Sequence, residues 1–319
     1  MGSRPTEKRP TAMPNNGTDP DPDPETGAQF HENRDEIRKP AQHHTDGSFD
    51  GSFAGTLRNR SEIYSTPWYR RRDYFLSGWT DASIWRAATV EMAATATQVY
   101  ISGQFAVTIM NYHNAQIAAY VGIYNTLLLA VFIYAFAPAS GGHMNPLITW
   151  ATMLCGLCPA SRGVIYIIFQ TIGGALGGGM LLGSWGKARA DAHMGGGCFF
   201  DASEISSGQV LLTEIVCSMT LVILAYGTGL DPRQKQVFGP QLGPLLVGLA
   251  LGIVSTATTG TTPGYTGAGV NPARCFALSI ARGGFKGHWI WWIGPAIGGL
   301  CGAMLYNAAP PYHSDHKKQ

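Results

Sequence analysis

Between residues 84 and 309 the chain carries six apolar stretches long enough to cross a bilayer, at roughly 85–110, 117–137, 163–184, 209–230, 239–256 and 287–308. Crossing a hydrocarbon core of about 30 Å takes about 20 mostly apolar residues, and a backbone in lipid must satisfy its own polar groups. Each stretch is therefore expected to be a helix. Two further apolar pieces, 146–155 and 272–281, are too short to cross. Each opens on Asn-Pro beside glycine, which reads as a re-entrant half-helix lining a cavity.

The short pieces expose a duplication. Glu91 precedes Asn145 by 54 residues, and Glu214 precedes Asn271 by 57. Each half holds three crossings, an odd number, so the second half enters from the opposite face and the repeat is inverted. The expected fold is an all-α membrane protein: six transmembrane helices plus two re-entrant half-helices meeting near the midplane. Repeat one is expected at about 85–185 and repeat two at about 208–308, within a channel domain at 81–309.

Composition separates that domain from its flanks. Residues 1–80 are rich in Pro, Asp, Asn and charge, as in DPDPDPE at Asp19–Glu25. Such a segment cannot bury enough apolar surface to order itself, so a disordered tail is expected, with a short C-terminal tail at 310–319. No apolar run opens the chain, so no signal peptide is expected. Basic residues at Trp68–Arg72, Arg162, Arg233 and Lys235 fall on one side, against Arg282 and Lys286 on the other. By the positive-inside rule both termini are cytosolic.

Other function classes find little support. A formal charge of +2 gives no reason to expect a nucleic-acid partner. The six cysteines, at 155, 158, 198, 217, 275 and 301, have neither a metal spacing nor that of a secreted disulfide framework. The CxxC at Cys155 and Cys158 reads as packing. With no nucleophile–base pair and no phosphate loop, neither an enzyme nor a cofactor or metal site is expected.

Asn145-Pro146-Leu147 and Asn271-Pro272-Ala273, in the settings SGGHMNPLIT and TGAGVNPARCF, resemble the paired Asn-Pro-Ala boxes of the aquaporin superfamily over about 225 residues. The resemblance implies a right-handed helical bundle, assembled as a homotetramer with a pore in each subunit, in the plasma membrane. Proline suits the first turn of a helix, where no amide donor is needed, so each Asn is expected to cap a half-helix. Two helix N-termini meeting head to head place positive dipole ends at the pore centre. A passing water accepts hydrogen bonds from both asparagines, which orients its neighbours oppositely and breaks a proton wire.

Counting from the boxes as the family does places a selectivity filter at Asn125, Ser255 (or Val254), Ala268 and Arg274. An arginine inside an apolar protein marks a pathway, and its guanidinium donates to solute oxygens while repelling cations. This ring lacks the histidine of strict water channels and the aromatic wall of glycerol facilitators. Passage of water, and of hydrogen peroxide, glycerol, urea or undissociated boric acid, is expected. The alternatives are a facilitator mainly of other solutes and a non-conducting scaffold. Leu147 in place of Ala, and Cys275 after Arg274, resemble the X intrinsic proteins of plants and fungi.

Cys198, in the loop GGGCFF, and Cys275 are both placed toward the outer mouth. Either a disulfide or two free thiols fits that placement. Glu91 and Glu214 are expected to accept backbone amides of the loops carrying the Asn-Pro turns, with a proton relay as the rival reading. His143 is expected to line the pore or brace its loop, with a pH gate as the rival.

Overall fold

The computed structural model describes residues 68–112, 115–231 and 234–308. The disorder expected of residues 1–67 and the tail at 310–319 lie outside the described residues, as does Arg233. Among the described residues the regular structure is helical, apart from one isolated pairing of Phe200 with Tyr265.

The crossing helices are α2 (Ala82–Asn111), α3 (Ile117–Ser140), α5 (Ala160–Trp185), α7 (Ser207–Ala225), α8 (Lys235–Thr258) and α10 (Ile290–Ala308), and the half-helices are α4 (Pro146–Leu154) and α9 (Pro272–Arg282). Helix α7 runs on through a wider π-type turn at Tyr226–Leu230. Two short helices complete the set, α1 (Arg72–Leu76) and α6 (Lys187–Ala192). Local chemistry marks several starts: Asp81 accepts from the Ser83 amide at the head of α2, and Ser206 with Gln209 forms a reciprocal capping box at α7.

By length and hydropathy α3, α5, α7 with its extension, and α8 from Val237 qualify as membrane spans. Helices α2 and α10 complete the six crossings. The first turns Glu91, Thr95, Gln98 and Ser102 inward, and the second buries Gly294, Gly298, Gly299 and Gly302.

Packing obeys the duplication. Exchanging α2 with α7, α3 with α8, α4 with α9 and α5 with α10 maps each main contact onto another. Gly173 of α5 lies against the Met92 carbonyl of α2, and Gly298 of α10 lies against the Ile215 carbonyl of α7. Gly174 of α5 abuts the Ala273 carbonyl of α9, while Gly299 of α10 abuts Leu147 of α4. Only residues without a side chain allow backbones so near, which is how lipid-embedded helices pack tightly.

Structure begins earlier than the boundary expected at residue 81. A 3₁₀ turn at Trp68–Arg70 and helix α1 close over the C-terminal end of α4. There the single O–H of the buried Tyr74 is shared between the Met153 and Cys158 carbonyls, and Trp68 covers Gly156. Those two aromatics find an apolar partner that the average composition of the flank conceals.

Candidate functional site

Each Asn-Pro turn is built the same way. Asn145 and Asn271 have extended backbones, and each side-chain oxygen accepts an amide of its own half-helix: Leu147 N at 2.9 Å and Arg274 N at 3.1 Å. Pro146 and Pro272 occupy the first helical position. That leaves both Asn amides for other use. Asn145 Nδ2 donates to the Val270 carbonyl at 3.0 Å, and Asn271 Nδ2 donates to the Met144 carbonyl at 3.1 Å. The two turns therefore clasp each other, head to head. An Asn amide has two N–H donors, so one per residue remains after the clasp. Their exposures of 8% and 9% leave a sliver of each side chain open.

The residue before each Asn holds a backbone that side-chained residues rarely adopt: Met144 at φ 47° and Val270 at φ 43°. For a β-branched residue such as Val270 this costs about 1–3 kcal/mol and persists only when its surroundings enforce it. Here the enforcers are the two buried glutamates. Glu91 accepts the amides of His143 (3.0 Å) and Met144 (2.6 Å), and Glu214 accepts those of Gly269 (2.7 Å) and Val270 (3.0 Å). Both acids are fully buried, so each carboxylate is stable there only because hydrogen bonds satisfy it.

Further partners complete each carboxylate. Ser140 Oγ and Gln170 Nε2 donate to Glu91 at 2.6 and 2.8 Å, and the Tyr265 hydroxyl donates to Glu214 at 3.0 Å. Sequence reasoning missed these three. Gln170 carried a signal, a lone amide within an apolar helix, whereas Tyr265 in its loop carried none. His143 is buried in the same network, its Nδ1 3.1 Å from Thr149 Oγ1 and its ring edge-on to Tyr166.

Among the four filter positions the structure pairs two directly: Asn125 Nδ2 donates to Ser255 Oγ at 2.8 Å, joining α3 to α8. Val254, the other candidate on α8, is buried in an apolar cluster with Leu147, Val270 and Ala250. Ala268 is held through its amide by Thr258 Oγ1 at 3.1 Å. Arg274 lies in the first turn of its half-helix and stays partly exposed. Among the described residues no carboxylate pairs with it. Its Nη1 donates to Cys198 Sγ at 3.5 Å, and Cys198 is joined to Cys275, with Cα atoms 5.3 Å apart. Leu147 is 1% exposed and packs sideways against Gly299.

Taken together, these residues place two positive helix ends, two spare amide donors and one unpaired cation inside an apolar bundle. Comparison with known proteins agrees with that architecture. The Major intrinsic protein family model matches residues 78–306. Dog Aquaporin-1 is 32% identical over 231 residues, 70% of this chain and 81% of that protein. A rice protein described as probable aquaporin PIP2-6 is 33% identical over 237 residues, 70% and 80% of the two chains. The X-ray structure of the aquaglyceroporin from Plasmodium falciparum superposes with a TM-score of 0.59 at 17% identity, covering 71% of this chain and 96% of that one, which speaks for the fold alone. A family model spanning most of the chain, with relatives of this identity and coverage, establishes that the chain is an integral, multi-pass membrane protein belonging to the major intrinsic protein family, the aquaporins.

Proposed function

We propose that the chain is a passive channel for water and small uncharged solutes that excludes ions and protons. The observation that carries this reading is the clasp between Asn145 and Asn271, which keeps one amide N–H of each free where two helix N-termini meet. A water there accepts from both, so its own hydrogens point away along the path in both directions and no proton wire runs through. The dipole ends oppose cations at the same point.

Arg274, Ala268, Asn125 and Ser255 form the filter in this reading. Arginine offers donors to a solute oxygen and the Asn–Ser pair offers polar edges, with no aromatic wall among them. Water is the first substrate, and hydrogen peroxide, urea, glycerol and boric acid are the solutes such a ring admits. The polar pair also favours a second reading, a facilitator whose main cargo is one of those solutes. The subunit works as one of four in a homotetramer in the plasma membrane, with both termini cytosolic, and in Leu147 and Cys275 it resembles the X intrinsic proteins.

Stopped-flow light scattering on vesicles containing the purified protein tests this, first with an impermeant osmolyte and then with each solute. Water flux well above that of empty vesicles, with flux of at least one solute, is expected. Water flux with none of the solutes would overturn the filter assignment, and no flux of any kind would leave a non-conducting scaffold.

A further inference from the structure

The segment Met194–Phe200 is laid directly over half-helix α9. Gly195, at φ +71°, sits against the Leu278 carbonyl where no side chain would fit, and a Cβ on Gly197 would stand 3.4 Å from Arg274 Nη2. Cys198 itself adopts φ 46°, a left-handed backbone that needs support. Support comes from several sides. Arg282 Nη1 donates to the Met194 and Cys198 carbonyls, both at 3.4 Å, and its guanidinium lies 5.5 Å from the centre of the Phe199 ring. The Phe199 amide donates to Thr266 Oγ1 at 3.0 Å, two residues before Ala268. The covalent tie is Cys198 to Cys275, the residue after Arg274, and both cysteines are buried.

Arg274 is a long, flexible side chain with no carboxylate among the described residues to hold it. What touches its guanidinium is the loop: the sulfur of Cys198 accepts from Nη1, and Gly197 flanks Nη2. A sulfur is a weak acceptor, so it steadies one N–H without competing for the rest. A carboxylate in that place would neutralise the cation.

We propose that Cys198 is a positioning residue for the solute path: its bond to Cys275 keeps the loop pressed on Arg274, so that the guanidinium stays extended as the narrow point without losing its charge. The proposal rests on the channel reading, in which Arg274 faces the path. Opening the bond takes two electrons and two protons from a dithiol reductant, which closes to its own disulfide, and yields two thiols. The guanidinium then gains freedom to fold aside, and solutes larger than water gain most.

The test measures glycerol and water permeability in vesicles for wild type, Cys198→Ser and Cys275→Ser, and for wild type prepared under a dithiol throughout, with bond opening read by mass after alkylating an aliquot. Each change is expected to raise the glycerol-to-water ratio about threefold or more, the size expected from losing one modest contact. In an Arg274→Ala background, Cys198→Ser is expected to leave the ratio where Arg274→Ala alone puts it. A ratio unmoved by bond opening in the wild-type protein overturns the proposal, whatever the fate of the serine variants. So does an equal shift with and without Arg274, which would make the bond a general brace. Wild-type vesicles no more permeable than empty ones would instead overturn the channel reading, and this proposal with it.

Discussion

Asn145 and Asn271 bind each other's turns rather than each other: each donates one side-chain N–H to the carbonyl that precedes the other, at 3.0 and 3.1 Å. The clasp explains how two half-helices entering from opposite faces abut at a fixed distance, tied through the two asparagine side chains. It also divides each amide, with one hydrogen used by the scaffold and, in the channel reading proposed above, the other offered to a passing solute.

Replacing Asn271 by Asp removes the donor and sets a carboxylate oxygen against the Met144 carbonyl. Water flux should fall roughly tenfold, the scale expected when a buried acceptor loses its partner. A negative centre should also admit protons, read with a pH-sensitive dye trapped in the vesicles. Unchanged proton flux in Asn271→Asp would show that the amide has no part in proton exclusion.

The glutamates are structural in this account. Glu91→Gln and Glu214→Gln replace one of the two acceptor oxygens with an amide that cannot accept, leaving one buried backbone donor of the pair His143 and Met144, or of the pair Gly269 and Val270, without its partner. A loss of about 2–3 kcal/mol is expected for each, seen as a lower unfolding temperature in detergent. A proton relay would give the reverse pattern, an altered proton flux with stability intact.

Leu147 distinguishes packing from conduction. It is fully buried among Ala151, Leu221, Val222 and Val270, so Leu147→Ala should leave a cavity and cost about 2–5 kcal/mol. Because its side chain packs on Gly299 of α10, the ratio of glycerol to water permeability should not change. A changed ratio would place this residue on the path.

Asn125 and Ser255 should behave as one unit. Asn125→Ala and Ser255→Ala each break the same 2.8 Å bond, so either should raise glycerol flux relative to water about twofold, and the double variant should add little to the single ones. Additive effects, measured in the same vesicles, would show that the two side chains act separately.

Much of this arrangement was legible in the sequence. The spacing of Glu91 to Asn145 and of Glu214 to Asn271 reflects a duplicated device, and a device that needs a carboxylate, a turn and a capped helix leaves chemistry-bearing residues at matched intervals. Helix lengths followed from apolar runs, since lipid permits little else. What was hidden depends on contacts between distant segments. Trp68 and Tyr74 order a stretch that looks like tail because α4 offers them a surface, and the small helix at Lys187–Ala192 lies in a loop with no apolar period to reveal it. The left-handed backbones of Met144 and Val270 had no local cue, because neither residue favours that region. For Cys198 and Cys275, 77 residues apart, the sequence left pairing open, and only the course of the loop over α9 brings them together.

The most direct test of the central claim is osmotic water flux and proton flux recorded on the same vesicles, wild type beside empty controls. The expected result is water flux well above the control with proton flux no greater than the control. Water flux equal to that of empty vesicles, or proton flux rising in step with water, would contradict a path centred on the clasp of Asn145 and Asn271.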